Sequence, residues 1–213
     1  MQLELALCRT NSPRLDLAEN QSLFTPLRRE ELSRRPLEGQ RESVAGRLLL
    51  SQLLSSRCPE AALPPRIQCG EWEKPRLTDF PNIHFNISHS EGWAVCALCD
   101  GEVGVDLQHN RNINLSIARR FAPSEQAMLE AFPREEQSKA LCDLWSLKEA
   151  WCKCTGEGLS APLDAAVFTL DPVSIDRPGF QVLRLTPPEP EWSLAVCVRT
   201  EEPLEVFQRI LAL

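Results

Sequence analysis

Two spacings of apolar residues recur along the chain and separate predicted strands from predicted helices. Short stretches in which apolar and polar residues alternate, or in which apolar residues run together, are typical of β-strands, and apolar residues three or four positions apart are typical of helices. The predicted strands are residues 3–8, 66–72, 83–90, 92–99, 102–108, 165–170, 180–186 and 192–200. The predicted helices are a buried helix over 48–54, several segments within 115–155, and a short closing helix through Leu204, Phe207, Ile210 and Leu211.

The order of these elements runs twice along the chain, which predicts an α+β fold made of two similar halves. In each half a helical stretch is followed by strands. A short local similarity supports the repeat, since residues 93–97 (WAVCA) are similar to residues 194–198 (LAVCV). We therefore predict an N-terminal half over residues 1–104 and a C-terminal half over residues 105–213.

The composition is that of an ordinary globular protein and excludes several classes. Of the 213 residues, 43% are hydrophobic and 25% are charged, close to average globular usage. No apolar run approaches the roughly 20 residues that a membrane helix needs, and the first ten residues lack the basic start of a secretory signal. We expect a cytoplasmic protein with no membrane partner, whose nine cysteines are reduced thiols.

The net charge of −7 is unevenly distributed. Residues 1–66 contain ten arginines, no lysine and eight acidic residues, a net charge of +2, so residues 67–213 carry −9. An acidic chain is a poor nonspecific DNA binder, because such binding needs many cationic contacts with phosphates. We expect no nucleic-acid partner. The arginines suit a discrete anion site, although a solvated helix face is the simpler interpretation of any single one.

Alternation over residues 102–108 places two polar groups on one face of a strand. The two valines and the leucine of this stretch would face a core, and Gly104, Asp106 and Gln108 would share the other face. Same-face neighbours lie about 6.6 Å apart, so a carboxylate and an amide oxygen there could hold a hard cation such as Mg²⁺. The simpler alternative is that Asp106 forms a turn at the end of a strand.

A second set of polar groups lies on a predicted helix. Trp145, Glu149 and Lys153 are four residues apart and share one stripe. Glu149 and Lys153 could form a surface ion pair only. The neighbouring tryptophan favours a partly dry site instead, where the carboxylate binds a metal or accepts a proton and the lysine neutralises a phosphate.

Two further segments carry candidate binding residues. Ser88 and His89 are adjacent on a predicted strand and point to opposite faces, so a serine–histidine hydrolase dyad is poorly supported. An outward His89 could contact an anion, and Lys74 adds a positive charge at a turn just upstream.

Together these segments resemble the 4′-phosphopantetheinyl transferase superfamily, in its Sfp-like class of pseudo-dimeric enzymes. The resemblance covers roughly residues 40–170, and the order and spacing of the whole set make it specific. The matching motifs are EKP at 73–75, FNISHS at 85–90, GVDL at 104–107, WSLKEAWCK at 145–153 and GEGL at 156–159. It implies two similar α+β halves related by a pseudo-twofold axis, with a ligand cleft between them.

The resemblance also implies a Mg²⁺-dependent reaction. A 4′-phosphopantetheine arm would pass from coenzyme A to a serine of an acyl or peptidyl carrier protein, releasing adenosine 3′,5′-bisphosphate. Asp106 and Glu149 would hold Mg²⁺, together with Gln108 directly or through water. Glu149 would be the base for the serine, and Lys153 would contact the transferred phosphate. The enzyme would be a monomer.

Coenzyme A would be held mainly by residues of the first half. Lys74 and Pro75 would border the adenine pocket, while Ser88 and His89 would lie at the coenzyme A site, with His89 on the 3′-phosphate. The 3′-phosphate site would be completed by one or more of Arg28, Arg35, Arg41 and Arg47. The segment 120–145 is a candidate docking surface for the carrier protein, through Phe121, Met128, Leu129, Phe132 and Arg134.

Gln108 departs from the family pattern. Many relatives carry glutamate at this position, and a neutral amide is a weaker Mg²⁺ ligand than a carboxylate. The departure predicts a water in place of the carboxylate or a higher metal requirement. It also keeps open a second hypothesis, a non-catalytic module of the same fold that binds coenzyme A or a carrier protein. A third hypothesis is a generic α+β interaction protein with accidental motifs.

Overall fold

A computed structural model of the protein describes residues 1–69, 74–158 and 162–213. Glu73 and Leu159 of two sequence motifs, and the end of the strand predicted over 66–72, lie outside the described residues. The helices are α1 (Pro26–Ser33), α2 (Leu37–Arg57), α3 (Pro123–Ala131) and α4 (Arg134–Thr155). The strands are β1 (Gln2–Arg9), β2 (Ile67–Cys69), β3 (Pro75–Leu77), β4 (His84–Ser90), β5 (Trp93–Cys99), β6 (Val103–His109), β7 (Phe168–Leu170), β8 (Val173–Ile175), β9 (Phe180–Leu185), β10 (Trp192–Arg199) and β11 (Glu205–Leu211).

The strands form two main sheets that repeat one strand order. The first sheet has the order β11–β1–β5–β4 and the second has the order β6–β10–β9, while β2–β3 and β7–β8 form two short pairs. In both sheets the opening strand of the half, β1 or β6, lies antiparallel beside the later strand of a strand pair, β5 or β10. This is the mixed α+β architecture that the sequence predicts. The repeated order supports two similar halves, and their pseudo-twofold relation and the boundary at residue 104 stay predictions.

The two sheets lie between the two long helices, because the side chains of each strand alternate between two cores. Leu5 of β1 and Val105 of β6 belong to the apolar cluster between the sheets. Ala6 of β1 instead packs in the cluster that contains the buried leucines of α2. On the far side, Ala195 of β10 packs in the cluster that contains α4. The order of layers is therefore α2, first sheet, second sheet, α4.

The edge strands β4 and β6 are joined by side chains as well as by proximity. Asn86, Ser88 and Ser90 occupy alternate positions of β4, and each accepts a hydrogen bond from a backbone N–H of β6. The donors are Val105 at 3.0 Å, Leu107 at 3.2 Å and His109 at 3.1 Å. Backbone donors that would otherwise be buried without a partner are thereby satisfied. This seam brings the motif at 85–90 against the motif at 104–107.

The closing helix predicted from Leu204, Phe207, Ile210 and Leu211 is wrong, because these residues belong to or flank strand β11. β11 pairs in parallel with β1, from Glu205 beside Gln2 to Leu211 beside Cys8. The pairing covers an edge of the apolar strand β1, and an open apolar edge is unfavourable. None of the helices in the described part of the chain is long and apolar enough to cross a membrane.

Candidate active site at the β6–α4 contact

Helix α4 packs directly against strand β6 at Gly104. A Cβ atom at this position would lie 2.9 Å from the carbonyl carbon of Lys153 and closer still to Ala150 O and Cys154 N. Carbon atoms pack at about 3.5–4.0 Å, so only glycine lets the helix backbone approach this far. The close approach places Asp106, two residues along β6, opposite the last two turns of α4.

Asp106 is the buried carboxylate of the site, and only 5% of the residue is exposed. Its Oδ1 accepts hydrogen bonds from Lys153 Nζ at 2.7 Å and from Ser88 Oγ at 3.1 Å. Its Oδ2 is buried and has no hydrogen-bond partner among the described residues. A buried carboxylate oxygen is costly to leave without a partner, so this atom is a ready ligand for a cation.

Lys153 reaches across from α4 to three oxygens. Besides Asp106, its ammonium donates to Ser88 Oγ at 3.0 Å and to Val105 O at 3.2 Å. Because Ser88 Oγ accepts from Lys153 and from the Leu107 N–H, its own proton goes to Asp106. The serine therefore orients the carboxylate and the ammonium at once.

Glu149 lies one turn before Lys153 on α4 and is partly buried. Burial, followed by the negative charge of Asp106, raises the pKa of Glu149, and the positive charge of Lys153 opposes the rise. The described residues offer Glu149 no hydrogen bond or ion pair, so its carboxylate is available to a ligand. The structure brings Asp106, Glu149 and Lys153 close together, as predicted.

The donor set fits a magnesium ion that is shared with a bound phosphate. Among the described residues no group of three or more His, Cys, Asp or Glu side chains could hold a metal alone. Mg²⁺ commonly takes only one or two carboxylates from a protein, the rest of its shell being water and substrate phosphates. Asp106 Oδ2 and Glu149 supply such a pair. Gln108 lies two residues beyond Asp106, and its amide nitrogen donates to His109 O at 3.2 Å.

The predicted anion-binding residues of the first half have different surroundings. Arg28 forms an ion pair with Glu31 at 2.8 Å on α1, and Arg35 is exposed between α1 and α2. Arg47 donates to Leu23 O through Nε at 3.2 Å and Nη2 at 3.0 Å. Burial and the nearby Arg28 lower the pKa of Arg47.

Arg41 differs from the other candidates because its Nε is buried without a partner among the described residues. Oε2 of the next residue on α2, Glu42, lies 3.0 Å from His89 Nδ1. His89 therefore lies beside the start of α2, on the opposite side of β4 from the buried Ser88. No local sequence pattern indicates the Glu42–His89 contact, because 47 residues separate the two along the chain.

The Lys74 side chain points into the protein interior. The residue is 8% exposed, and its ammonium donates to Cys154 O at 2.6 Å and forms an ion pair with Glu102. With Pro75, it lines a cavity of about 100 Å³ beside β3 and the start of β4. Whether this cavity is the predicted adenine pocket stays a prediction, and the sequence contains no local signal for the contact between the ammonium and Glu102.

A buried ion pair between Lys148 and Glu125 was also missed. Lys148 Nζ lies 2.7 Å from Glu125 Oε1 and donates to Leu163 O and Ala166 O. The pair joins α3 to α4 one residue before Glu149. Lys148 falls between apolar neighbours of the helix, and a buried lysine needs a partner, so that pattern could have suggested a structural role.

The predicted docking segment is largely core. Phe121 and Leu129 are buried in the cluster around α4, and Met128 and Phe132 pack partly against it. The hypothesis is therefore wrong for Phe121 and Leu129, because the apolar face of α3 covers α4. Arg134 is exposed at the start of α4.

Comparison with known proteins identifies close relatives. The family model of the 4′-phosphopantetheinyl transferase superfamily matches residues 102–201. The 4′-phosphopantetheinyl transferase Sfp of Bacillus subtilis (strain 168) is 33% identical over 184 residues, which are 83% of this chain and 82% of that protein. The 4′-phosphopantetheinyl transferase ffp of Bacillus subtilis is 32% identical over 75% of each chain. The holo-[acyl-carrier-protein] synthase of Thermotoga maritima has 19% identity and a TM-score of 0.41 over 47% of this chain and 64% of its own, too low for a comparison of folds.

Proposed function

The chain belongs to the 4′-phosphopantetheinyl transferase superfamily, in its Sfp-like class, and we propose that it transfers 4′-phosphopantetheine from coenzyme A to a serine of an acyl or peptidyl carrier protein. The observation that carries the proposal is the convergence of Asp106, Glu149 and Lys153 at the β6–α4 contact. Two carboxylates beside one ammonium suit a reaction whose main demand is to position and neutralise a pyrophosphate.

Mg²⁺ is the metal we propose, held by Asp106 Oδ2 and Glu149, and it would neutralise charge on the pyrophosphate of coenzyme A when bound. Gln108, two residues along the strand, would contribute directly or through a water. Two observations support this proposal. Asp106 Oδ2 has no hydrogen-bond partner within the described part of the chain, and the donor set contains only oxygens, which suit a hard cation.

The protein's own groups then account for the proton and the phosphate. The serine oxygen forms a bond to the phosphorus of the phosphopantetheine, the bond from that phosphorus to the bridging oxygen breaks, and adenosine 3′,5′-bisphosphate leaves. The serine proton passes to Glu149, directly or through a water. In the metal-free protein, burial and the charge of Asp106 raise the pKa of Glu149, and the positive charge of a bound Mg²⁺ would oppose that rise. Lys153, oriented by Ser88 and Asp106, would contact the phosphate being transferred once a phosphate oxygen replaces Val105 O, the third acceptor of its ammonium.

The adenosine end of coenzyme A would lie along the first half. His89 and Arg41 would face the 3′-phosphate, because His89 lies beside Glu42 near the start of α2, where the buried Arg41 Nε has no hydrogen-bond partner in the described ranges. Arg28 and Arg47 are already engaged by Glu31 and Leu23 O, which makes them weaker candidates than Arg41. The exposed Arg35 stays a candidate too.

The remaining assignments are part of the same proposal. We expect a monomer composed of the halves 1–104 and 105–213, with the coenzyme A cleft along the β4–β6 seam. A cytoplasmic location is supported by cysteines with free thiols, including the buried Cys8 and Cys96. The proposed partners are coenzyme A and a carrier protein, with no nucleic acid and no membrane.

The test is mass spectrometry of apo carrier proteins incubated with coenzyme A and the enzyme. We expect a phosphopantetheine adduct that requires both Mg²⁺ and enzyme, and loss of the adduct with Asp106→Ala or Glu149→Ala while circular dichroism stays unchanged. Binding of coenzyme A without adduct or bisphosphate would favour the non-catalytic module. Near-normal labelling by either variant would remove the proposed mechanism.

A further inference from the structure

A single lysine of the first half contacts both elements that carry the active site. Lys74 Nζ donates to Cys154 O in the last turn of α4, at 2.6 Å, and pairs with Glu102, which directly precedes β6. Its aliphatic stem lies against Gly156, the left-handed residue that ends α4, since a Cβ there would be 3.5 Å from Lys74 Cδ. A cation at a helix C-terminus also interacts favourably with the helix dipole.

Glu102 contacts several other groups near that lysine. Its carboxylate also accepts from Arg76 Nη2 at 2.8 Å and lies 3.5 Å from His84 Nδ1. Burial would raise the pKa of Glu102, but the hydrogen bond and charge of Lys74, with the charges of His84 and Arg76, lower it, so the carboxylate is ionised at neutral pH. The Glu102 backbone carbonyl accepts from Arg199 N at 2.9 Å and from Cys154 Sγ at 3.1 Å.

The contacts of the last turn of α4 are therefore divided between two sides. Lys153 reaches into the active site, to Asp106 and Ser88, while the next residue, Cys154, is fixed to Lys74 and Glu102 on the other side. If the second side were released, the helix end would be free to rotate or to withdraw from β6. Glu149, one turn earlier, would move with it.

We propose that Lys74 and Glu102 form a clamp that sets the spacing of Asp106 from Glu149 and Lys153, so that Lys74 is a positioning residue rather than a group whose ammonium contacts coenzyme A. This inference rests on the proposed function. It differs from the role that the sequence resemblance implies for the Lys74 side chain, because the ammonium is buried and already has two internal partners. Pro75 remains free to border the nucleotide.

The experiment compares Lys74→Met, which keeps the apolar stem, with Glu102→Gln and with the double variant. Arg76→Ala is the matched control, because it removes a more exposed partner of the same carboxylate. Steady-state transfer to an apo carrier gives kcat and KM, calorimetry gives the Kd of coenzyme A, and hydrogen exchange reports the amides at the end of α4. Thermal melts show that each variant is folded.

The clamp predicts that both single variants lose kcat by about 10–100-fold, the size expected for misplacement by up to about 1 Å. The Kd of coenzyme A should stay near that of the unaltered protein. The kcat of the double variant should be no lower than that of either single variant, because both substitutions remove the same Lys74–Glu102 contact. Amides at the end of α4, such as that of Gly156, should exchange faster in both variants but not in Arg76→Ala.

A different result would overturn the clamp. If Lys74→Met weakened coenzyme A binding and Glu102→Gln did not, the lysine would be a substrate contact. Unchanged kcat or unchanged exchange at the end of α4 in both variants would also refute it. Failure of the unaltered protein to transfer is a separate outcome that would refute the proposed function; the exchange and calorimetric data would still decide the clamp.

Discussion

Gly104→Ala is the most direct test of how the fold creates the active site. The new Cβ would lie 2.9 Å from the Lys153 carbonyl carbon and closer to Ala150 O and Cys154 N. Backbone atoms of a packed helix cannot turn aside as a flexible side chain can, so α4 must withdraw from β6 by on the order of 1 Å to restore ordinary contact. The expected destabilisation is about 1–3 kcal/mol, the usual cost of overpacking.

The displacement of α4 should also slow catalysis. Glu149 and Lys153 lie on the part of α4 that must move, and a misplacement of about 1 Å can cost roughly 100-fold in rate. We expect the kcat of Gly104→Ala to fall by about that factor. The melting temperature should fall by about 2–4 °C for each kcal/mol lost.

The assay is carrier labelling under saturating coenzyme A, with a thermal melt of the same sample. Gly39→Ala is the matched control: Gly39 lies in the first turn of α2, and its added Cβ would meet nothing closer than 3.9 Å. This control should keep full activity and gain up to about 1 kcal/mol of helix stability. Full activity and an unchanged melt for Gly104→Ala would show that the close approach of α4 to β6 is not required.

Three further predictions concern charges around the site. Glu149→Gln should raise the melting temperature of the metal-free protein at pH 7, because burial and the charge of Asp106 penalise the ionised carboxylate. Since the pKa of Glu149 is raised in the folded protein, this gain in melting temperature should shrink as pH falls toward the ordinary pKa of glutamate. A gain that does not depend on pH would contradict this cause. Gln108→Glu should lower the Mg²⁺ concentration that gives half-maximal transfer, and an unchanged requirement would argue against a ligand role. Glu42→Gln should lower the KM of coenzyme A but not of 3′-dephospho-coenzyme A, because it removes a carboxylate beside the proposed phosphate contact at His89; an equal change for both donors would refute this.

Local spacing predicts the face on which each side chain of the candidate site lies, and the resemblance to the transferase superfamily implies that these side chains converge. Alternation along β6 fixes the face on which Asp106 lies, and helical spacing fixes Glu149 and Lys153 on one stripe of α4. Local spacing does not determine whether this face of β6 and this stripe of α4 meet. Gly104 provides that information, since a glycine within a strand marks a close approach of another backbone.

The contacts that sequence reasoning missed join residues far apart in the chain. Alternation places Glu102 at the start of a strand, and no nearby residue indicates that Lys74, 28 residues earlier, pairs with it. Glu42 is an acidic residue among the arginines of α2. The apolar spacing of the closing segment fits a helix, whereas its actual strand state depends on the open edge of β1, which is far away in sequence.

The return of β11 to the first sheet has a consequence for synthesis on the ribosome. β1, α2, β4 and β5 emerge early and can pack together, but one side of β1 lacks its parallel neighbour until residues 205–211 have been made. Leu211 also packs against the apolar cluster beneath α2. The nascent first half therefore exposes an unpaired strand edge until β11 has been synthesised. If the protein were expressed as two pieces divided at residue 104, the first piece would keep this unpaired edge unless β11 of the second piece paired with it.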